Sequence, residues 1–395
     1  MQLSLIMSVT MLTGLLFSSA VYASITKVLV IQSSGEIASL IPHIKVIGNK
    51  TFTASGTQIV LKGFCYTYFV NNGENCYEGT WLLPDGSVLY NTWSTSGVQY
   101  NLDFMKASGA NVVRVFMTAE FWIKNTGGFR DHIKYFVTEA AKRGIYTILT
   151  FWNTENGREM PTSTTPWEDG NSLITTIGDF VNLWENVGQS LKYYPSVLFE
   201  LWNEPQGDEE DWFLAVQQCI NRIRSIGANQ PIIVQYSYQI NYDFGSGWYY
   251  GMDWVFDYPL SDTAGNLIYS THIYSSTWHG FYNSTSGKMV TDYDAISQAL
   301  KKCKVYDVAA VYPVFIGEIG CSNWDLDNQL VYYNNTLTLL DQHGIGYAAF
   351  AAPPWHSATQ WGLVQFGAAN YALTASGQIL VSHLGGVKYS DWIGG

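Results

Sequence analysis

The chain has 395 residues, 47% of them hydrophobic, which supplies a sizeable core and excludes a globally disordered polypeptide. Charged residues are only 13%, so Ser, Thr, Asn, Gly and Tyr must supply most of the polar surface. A net charge of −12, with 20 scattered Lys and Arg, argues against nucleic acid and against an anionic membrane surface, and fits a neutral substrate.

Residues 1–23 read as an export signal. An apolar run covers positions 12–17, and Val21-Tyr22-Ala23 offers small residues where a signal peptidase cuts. Because no Lys or Arg precedes Lys27, an uncleaved N-terminal anchor is the alternative; otherwise a secreted, extracellular protein is expected. Sequons at Asn49, Asn283 and Asn334 are compatible with export. Residues 24–42 form an N-terminal extension, and 43–395 a single domain without a Pro-, Gly- or Ser-rich linker.

From His43 to Lys62 the pattern alternates around Gly48 and Gly56, which predicts a β-hairpin running into a first strand at 59–64. Further strands are expected at 111–117, 145–152, 197–202, 231–235, 268–274, 314–317 and 346–351. Amphipathic stretches at 131–143, 173–191, 211–226, 293–302 and 327–343 alternate with them. Nearly continuous apolar strands separated by helices mean βαβ units and a parallel sheet. A closed barrel and an open doubly wound sheet share that rhythm, and roughly 330 residues for eight units suits the closed (β/α)8 TIM barrel. The fold class is therefore α/β, with long aromatic βα loops at 66–100, carrying Trp81 and Trp93, and at 236–267, carrying Trp248 and Trp254. The 15 Trp and 27 Tyr admit two uses, a large aromatic core or flat platforms for the apolar faces of sugars.

Five cysteines leave at least one outside any intrachain pairing. Cys65 and Cys76 bracket a short polar loop and are candidates for a bridge in an exported chain; Cys219, Cys303 and Cys321 are too dispersed to assign. The seven His are also dispersed, with no H-x-H, H-E-x-x-H or C-x-x-C, so no metal or other cofactor is expected.

The chemistry concentrates in two segments. Val197-Leu198-Phe199-Glu200-Leu201-Trp202-Asn203-Glu204-Pro205 places a carboxylate at the tip of the fourth strand, its backbone fixed by proline. Val314-Phe315-Ile316-Gly317-Glu318 does the same at the tip of the seventh. A lone glutamate there is usually an ordinary loop or salt-bridge residue. Two on one barrel face converge on a cleft, and glycoside hydrolysis needs such a pair.

With Arg114 in Asn111-Val112-Val113-Arg114-Val115 and the strand-six His272-Ile273-Tyr274, these segments resemble glycoside hydrolase family 5, the cellulase family. The resemblance runs from about 59 to 384, ending in Ser376-Gly377-Gln378-Ile379-Leu380 of the family's last helix. It implies Glu204 as acid/base, Glu318 as nucleophile, and Asn203 as the partner of the reacting sugar's 2-hydroxyl. It also implies Arg114 and Tyr274 beside the nucleophile, His272 on the same wall, and Trp355 as a sugar platform. The chain departs from the family at the third strand, reading Thr150-Phe151-Trp152-Asn153 where a histidine is usual.

The implied activity is a retaining, endo-acting hydrolase of β-1,4-glucan, with β-linked polysaccharide or oligosaccharide as its partner. A β-mannanase or another β-glycanase shares these motifs. A non-catalytic sugar-binding barrel is expected to have lost one of the two glutamates, and both are present.

Overall fold

The computed structural model describes residues 41–69, 81–89, 92–153, 173–205, 208–236, 239–241, 248–275, 282–283, 288–321, 328–352, 362–365 and 367–393. Eight strands close into a parallel barrel: β1 (Lys62–Phe69), β2 (Val112–Thr118), β3 (Tyr146–Asn153), β4 (Val197–Glu200), β5 (Ile232–Gln235), β6 (Leu267–Ser275), β7 (Val314–Cys321) and β8 (Gly346–Ala349). Neighbours in space are neighbours in sequence, and β8 pairs with β1 to close the ring. A helix follows each strand: α1 (Thr95–Ala107), α2 (Phe129–Lys142), α3 (Ile177–Leu191), α4 (Glu209–Ser225), α5 (Trp254–Asp257), α6 (Tyr293–Lys302), α7 (Gln329–His343) and α8 (Ala375–Leu384). This is the expected (β/α)8 TIM barrel.

Strand alternation divides the core in two. Inward residues Cys65, Phe116, Ile148, Leu198, Ile233, Ile268, Phe315 and Ala348 fill the barrel. Their neighbours Phe64, Val115, Leu149, Phe199, Val234, Tyr269, Ile316 and Tyr347 pack outward against the helices. Side-chain caps start several helices: Ser94, Thr176, Asp208, Asp292 and Thr374 each accept a backbone N–H of the first turn.

The predicted hairpin pairs Ile44–Ile47 with Lys50–Thr53 across a turn in which Gly48 takes φ 60°. Ile44 joins the inner core, and the Val46 amide donates to Asn266 Oδ1 at 2.8 Å, so the hairpin closes the barrel's floor. The first strand runs over 62–69 rather than 59–64, because Ile59 still belongs to the hairpin, donating to Thr51. Among the described residues no helix is long and apolar enough to cross a membrane.

The candidate Cys65–Cys76 bridge is not formed. Cys65 faces into the barrel as a buried free thiol and donates to the Gly317 carbonyl at 3.3 Å. Cys219 and Cys303 are likewise buried free thiols. The proposed signal at 1–23, most of the 24–42 extension, Cys76 and Trp355 lie outside the described residues.

Candidate active site

A buried arginine organises the mouth of the barrel. Arg114 sits on β2 between the inward-facing Val112 and Phe116, fully buried, with its guanidinium 4.6 Å from the centre of the Phe116 ring. Its Nη1 donates to Glu318 Oε1 at 2.9 Å, and its Nη2 donates to Glu200 Oε1 at 3.0 Å and to Asn203 Oδ1 at 2.8 Å. Nε completes a forked pair with Glu200. Burial works against its charge, but the carboxylates of Glu200 and Glu318 outweigh it and hold the guanidinium's pKa above its ordinary value.

Glu318 faces inward because β7 is irregular. Phe315 points into the barrel, yet Ile316 and Ile319 both point outward, which strict alternation forbids for residues three apart. The β6–β7 register resolves this: Thr271 pairs with Ile316 and His272 with Glu318, leaving Gly317 as the extra residue of a bulge. The fit there is close: an added Cβ would lie 2.8 Å from Ser270 Oγ and 2.9 Å from His272 Nε2, so any larger residue would force those side chains or the strand to shift. Glu318 is therefore not at the strand's tip, as the sequence suggested; β7 continues to Cys321. Its second oxygen, Oε2, accepts from the Tyr274 hydroxyl. Burial, with the negative charge of Glu318 next, pushes the Tyr274 phenol well above its usual range, so Tyr274 remains a donor.

Glu204 reaches the mouth differently. Strand β4 ends at Glu200, and the chain continues through Leu201-Trp202-Asn203 to Glu204, whose φ is 49°. This left-handed conformation costs a non-glycine residue roughly 1–2 kcal/mol, so the surroundings must impose it. The Asn203 amide donates to the Phe151 carbonyl at 2.7 Å, and the Glu204 amide donates to Gln235 Oε1 at 3.1 Å. Behind the turn, Trp184 donates to the Leu201 carbonyl and Trp212 to that of Gln235. Glu204 Oε1 lies 2.8 Å from His272 Nδ1. The Glu204 side chain keeps 27% of its surface exposed against 6% for Glu318.

Six of the seven sequence-predicted site residues thus converge: Arg114, Asn203, Glu204, His272, Tyr274 and Glu318. Trp355 is the exception, lying outside the described residues. Glu200 was missed, although a charge inside the apolar run Val197–Leu201 signals a buried ion pair. Gln235 was missed too, as was Phe350, just beyond β8, whose ring meets Tyr274 at 6.1 Å.

Ligand atoms of Glu204, His272 and Glu318 lie within 4.8 Å of one another, a grouping able to hold a cation that the dispersed histidines did not suggest. Both Glu318 oxygens already accept hydrogen bonds, and a cation would compete with the neighbouring guanidinium. The arrangement suits proton transfer and nucleophilic attack by carboxylates better than metal ligation.

The sequence model of cellulase, glycosyl hydrolase family 5, matches residues 77–354. The chain belongs to this family. It is therefore a glycoside hydrolase. No curated protein matches it in sequence. Among solved structures, a hyperthermophilic endocellulase from Pyrococcus horikoshii superposes with TM-score 0.66 at 18% identity, over 87% of this chain and 98% of that one. A β-glucanase from Saccharophagus degradans in complex with cellotetraose gives 0.63 at 17% identity, over 87% and 93%. An endo-β-1,4-glucanase from Xanthomonas axonopodis gives 0.60 at 19% identity, over 82% and 99%. At these identities the likeness is one of fold.

Proposed function

We propose that this family 5 hydrolase cleaves β-1,4-glucan internally and with retention of configuration, with Glu318 as nucleophile and Glu204 as acid/base. The observation that carries this reading is the proximity of the two carboxylates, one oxygen of each lying within 4.8 Å of the other. Retaining enzymes hold their carboxyls about 5–5.5 Å apart, whereas inverting enzymes need about 6.5–9.5 Å to seat a water.

The chemistry follows from the hydrogen bonds. Arg114 and Tyr274 grip one oxygen each of Glu318, fixing the carboxylate for attack on the anomeric carbon. Glu204, more exposed and oriented by His272, gives its proton to the departing glycosidic oxygen. Water then enters, Glu204 takes its proton, and the covalent glycosyl–Glu318 ester is hydrolysed. Asn203 Oδ1 is committed to Arg114, so its amide N–H2 is the end left to donate to a sugar hydroxyl.

The glucan preference draws support from the glucanases among the structural neighbours, one of them in complex with cellotetraose. Reducing-sugar release and viscosity on soluble cellulose, mannan, xyloglucan, xylan and β-1,3-glucan test it. The fastest release and an early viscosity drop are expected on the β-1,4-glucan. Preference for mannan would reassign the substrate and leave the two-carboxylate mechanism standing.

We further propose export directed by residues 1–23, with the 43–395 domain acting outside the cell. The support is the Val21-Tyr22-Ala23 site. N-terminal sequencing of protein from the medium should begin near Ser24; intact Met1 in a membrane fraction would favour an anchor.

A further inference from the structure

We propose that Trp152 is a specificity-determining residue, a flat platform for a pyranose with equatorial substituents bound beside Glu318. The proposal rests on the glucan-hydrolase reading above and deepens it.

Strand β3 carries its own irregularity at its C-terminal end. Met117 pairs with Phe151 and Thr118 with Asn153, so Trp152 is the extra residue of a β-bulge. Bulges at barrel rims re-aim a side chain, and here they aim an indole. Phe151 faces the helices, while Trp152 packs on the inner core with Ile148 and Phe116. Its ring centre lies 5.3 Å from that of Phe116, and it remains only half-buried.

Position makes this a sugar surface rather than core filling. Phe116 lies under the Arg114 guanidinium that holds Glu318, so Trp152 connects to the proposed nucleophile through three successive contacts, by way of Phe116 and Arg114. Phe350 meets Phe116 from another side at 6.3 Å and is also half-buried. Trp152 and Phe350 thus flank a buried ring, and each keeps part of its own surface open. The carbonyl of Phe151, one residue away, holds the Asn203 amide, so the bulge and the Glu204 turn share an anchor. An indole half-sunk against apolar rings at a carboxylate site offers a flat apolar face with no charge. The ligand matching that face is a pyranose whose axial positions all carry hydrogen, as in β-linked glucose. A mannose unit projects an axial hydroxyl from one face and matches less well.

The test uses the full chain carrying Trp152→Phe or Trp152→Leu, both of which keep apolar bulk against Phe116. Initial rates with cellotetraose and mannotetraose give kcat and KM, and cellotetraose binding is also measured in the Glu318→Gln background. Trp152→Leu should raise KM for cellotetraose roughly tenfold or more with a smaller effect on kcat. It should also weaken binding in parallel and shrink the preference for cellotetraose over mannotetraose, while Trp152→Phe recovers most of each. Unchanged KM and binding in Trp152→Leu, with the parent active on cellotetraose, would overturn the platform and leave the glucan reading intact. A parent enzyme that ignores cellotetraose yet hydrolyses another β-glycan would overturn both.

Discussion

Arg114 gives two of its nitrogens to Glu200 and a third contact to Glu318, so one buried cation lies between two carboxylates from different strands. Removing either side of such a pair strands the remaining charge away from water, at a cost of about 3–5 kcal/mol. Arg114→Met should lower unfolding free energy by about that amount, and Glu200→Gln alone should also destabilise. Adding Glu200→Gln to Arg114→Met should restore part of the loss, because one of the two stranded carboxylate charges is gone while that of Glu318 remains. Denaturant titration of the four proteins checks this; strictly additive losses would refute the coupling.

Glu318→Gln keeps the size of the side chain and removes its charge. Turnover should fall by a factor on the order of 10³ or more, while the protein stays folded and binds substrate. Steady-state kinetics and near-ultraviolet circular dichroism measure the two parts. Substantial residual kcat would move the nucleophile elsewhere.

The eight strands were legible because each is an apolar run bounded by helical periodicity, and even the hairpin under the barrel announced itself through Gly48 and Gly56. The two glutamates were legible from Asn203-Glu204-Pro205 and Gly317-Glu318 placed after such runs. Which way Glu318 faces was not legible. Pairing register is a property of two strands, and the bulge at Gly317 exists only against β6. Nor could periodicity reveal that Glu200 shares the barrel interior with Arg114, because β4 is buried on both faces and shows no polar alternation. Cys65 was offered as a bridge candidate for a related reason: a small residue before a polar loop suggests the loop, while parity places it inside the barrel.

Gly317→Ala tests the bulge. Its Cβ would meet Ser270 Oγ and His272 Nε2 within 3 Å, so His272 or β7 must shift by several tenths of an ångström. Misplacement of a catalytic group on the scale of an ångström costs about 10²-fold. A fall in kcat of roughly tenfold to a hundredfold, with the fold retained, is expected; unchanged kcat would show that the close fit at 317 does not matter.

Alkaline pH should unfold the protein through its buried tyrosines. Burial raises the Tyr146 phenol to about 12, and burial followed by the charge of Glu318 raises Tyr274. Folded values above the unfolded one, about 10, mean that the native state holds these protons more tightly. Their stabilisation is complete below pH about 10 and is lost as pH rises through the folded values, for Tyr146 between about 10 and 12. Phenolate absorbance should therefore rise for these residues together with the loss of ellipticity. Full titration near pH 10 in a still-folded protein would contradict the burial described.

The proposed mechanism requires Glu204 and Glu318 to act jointly across a gap too narrow for an intervening water. Proton NMR of the first product released from a soluble β-1,4-glucan, recorded before mutarotation, reads that geometry directly. The β-anomer is expected first, formed by two successive inversions through a glycosyl–Glu318 ester. Initial release of the α-anomer would exclude retention and with it the glycosyl–Glu318 ester.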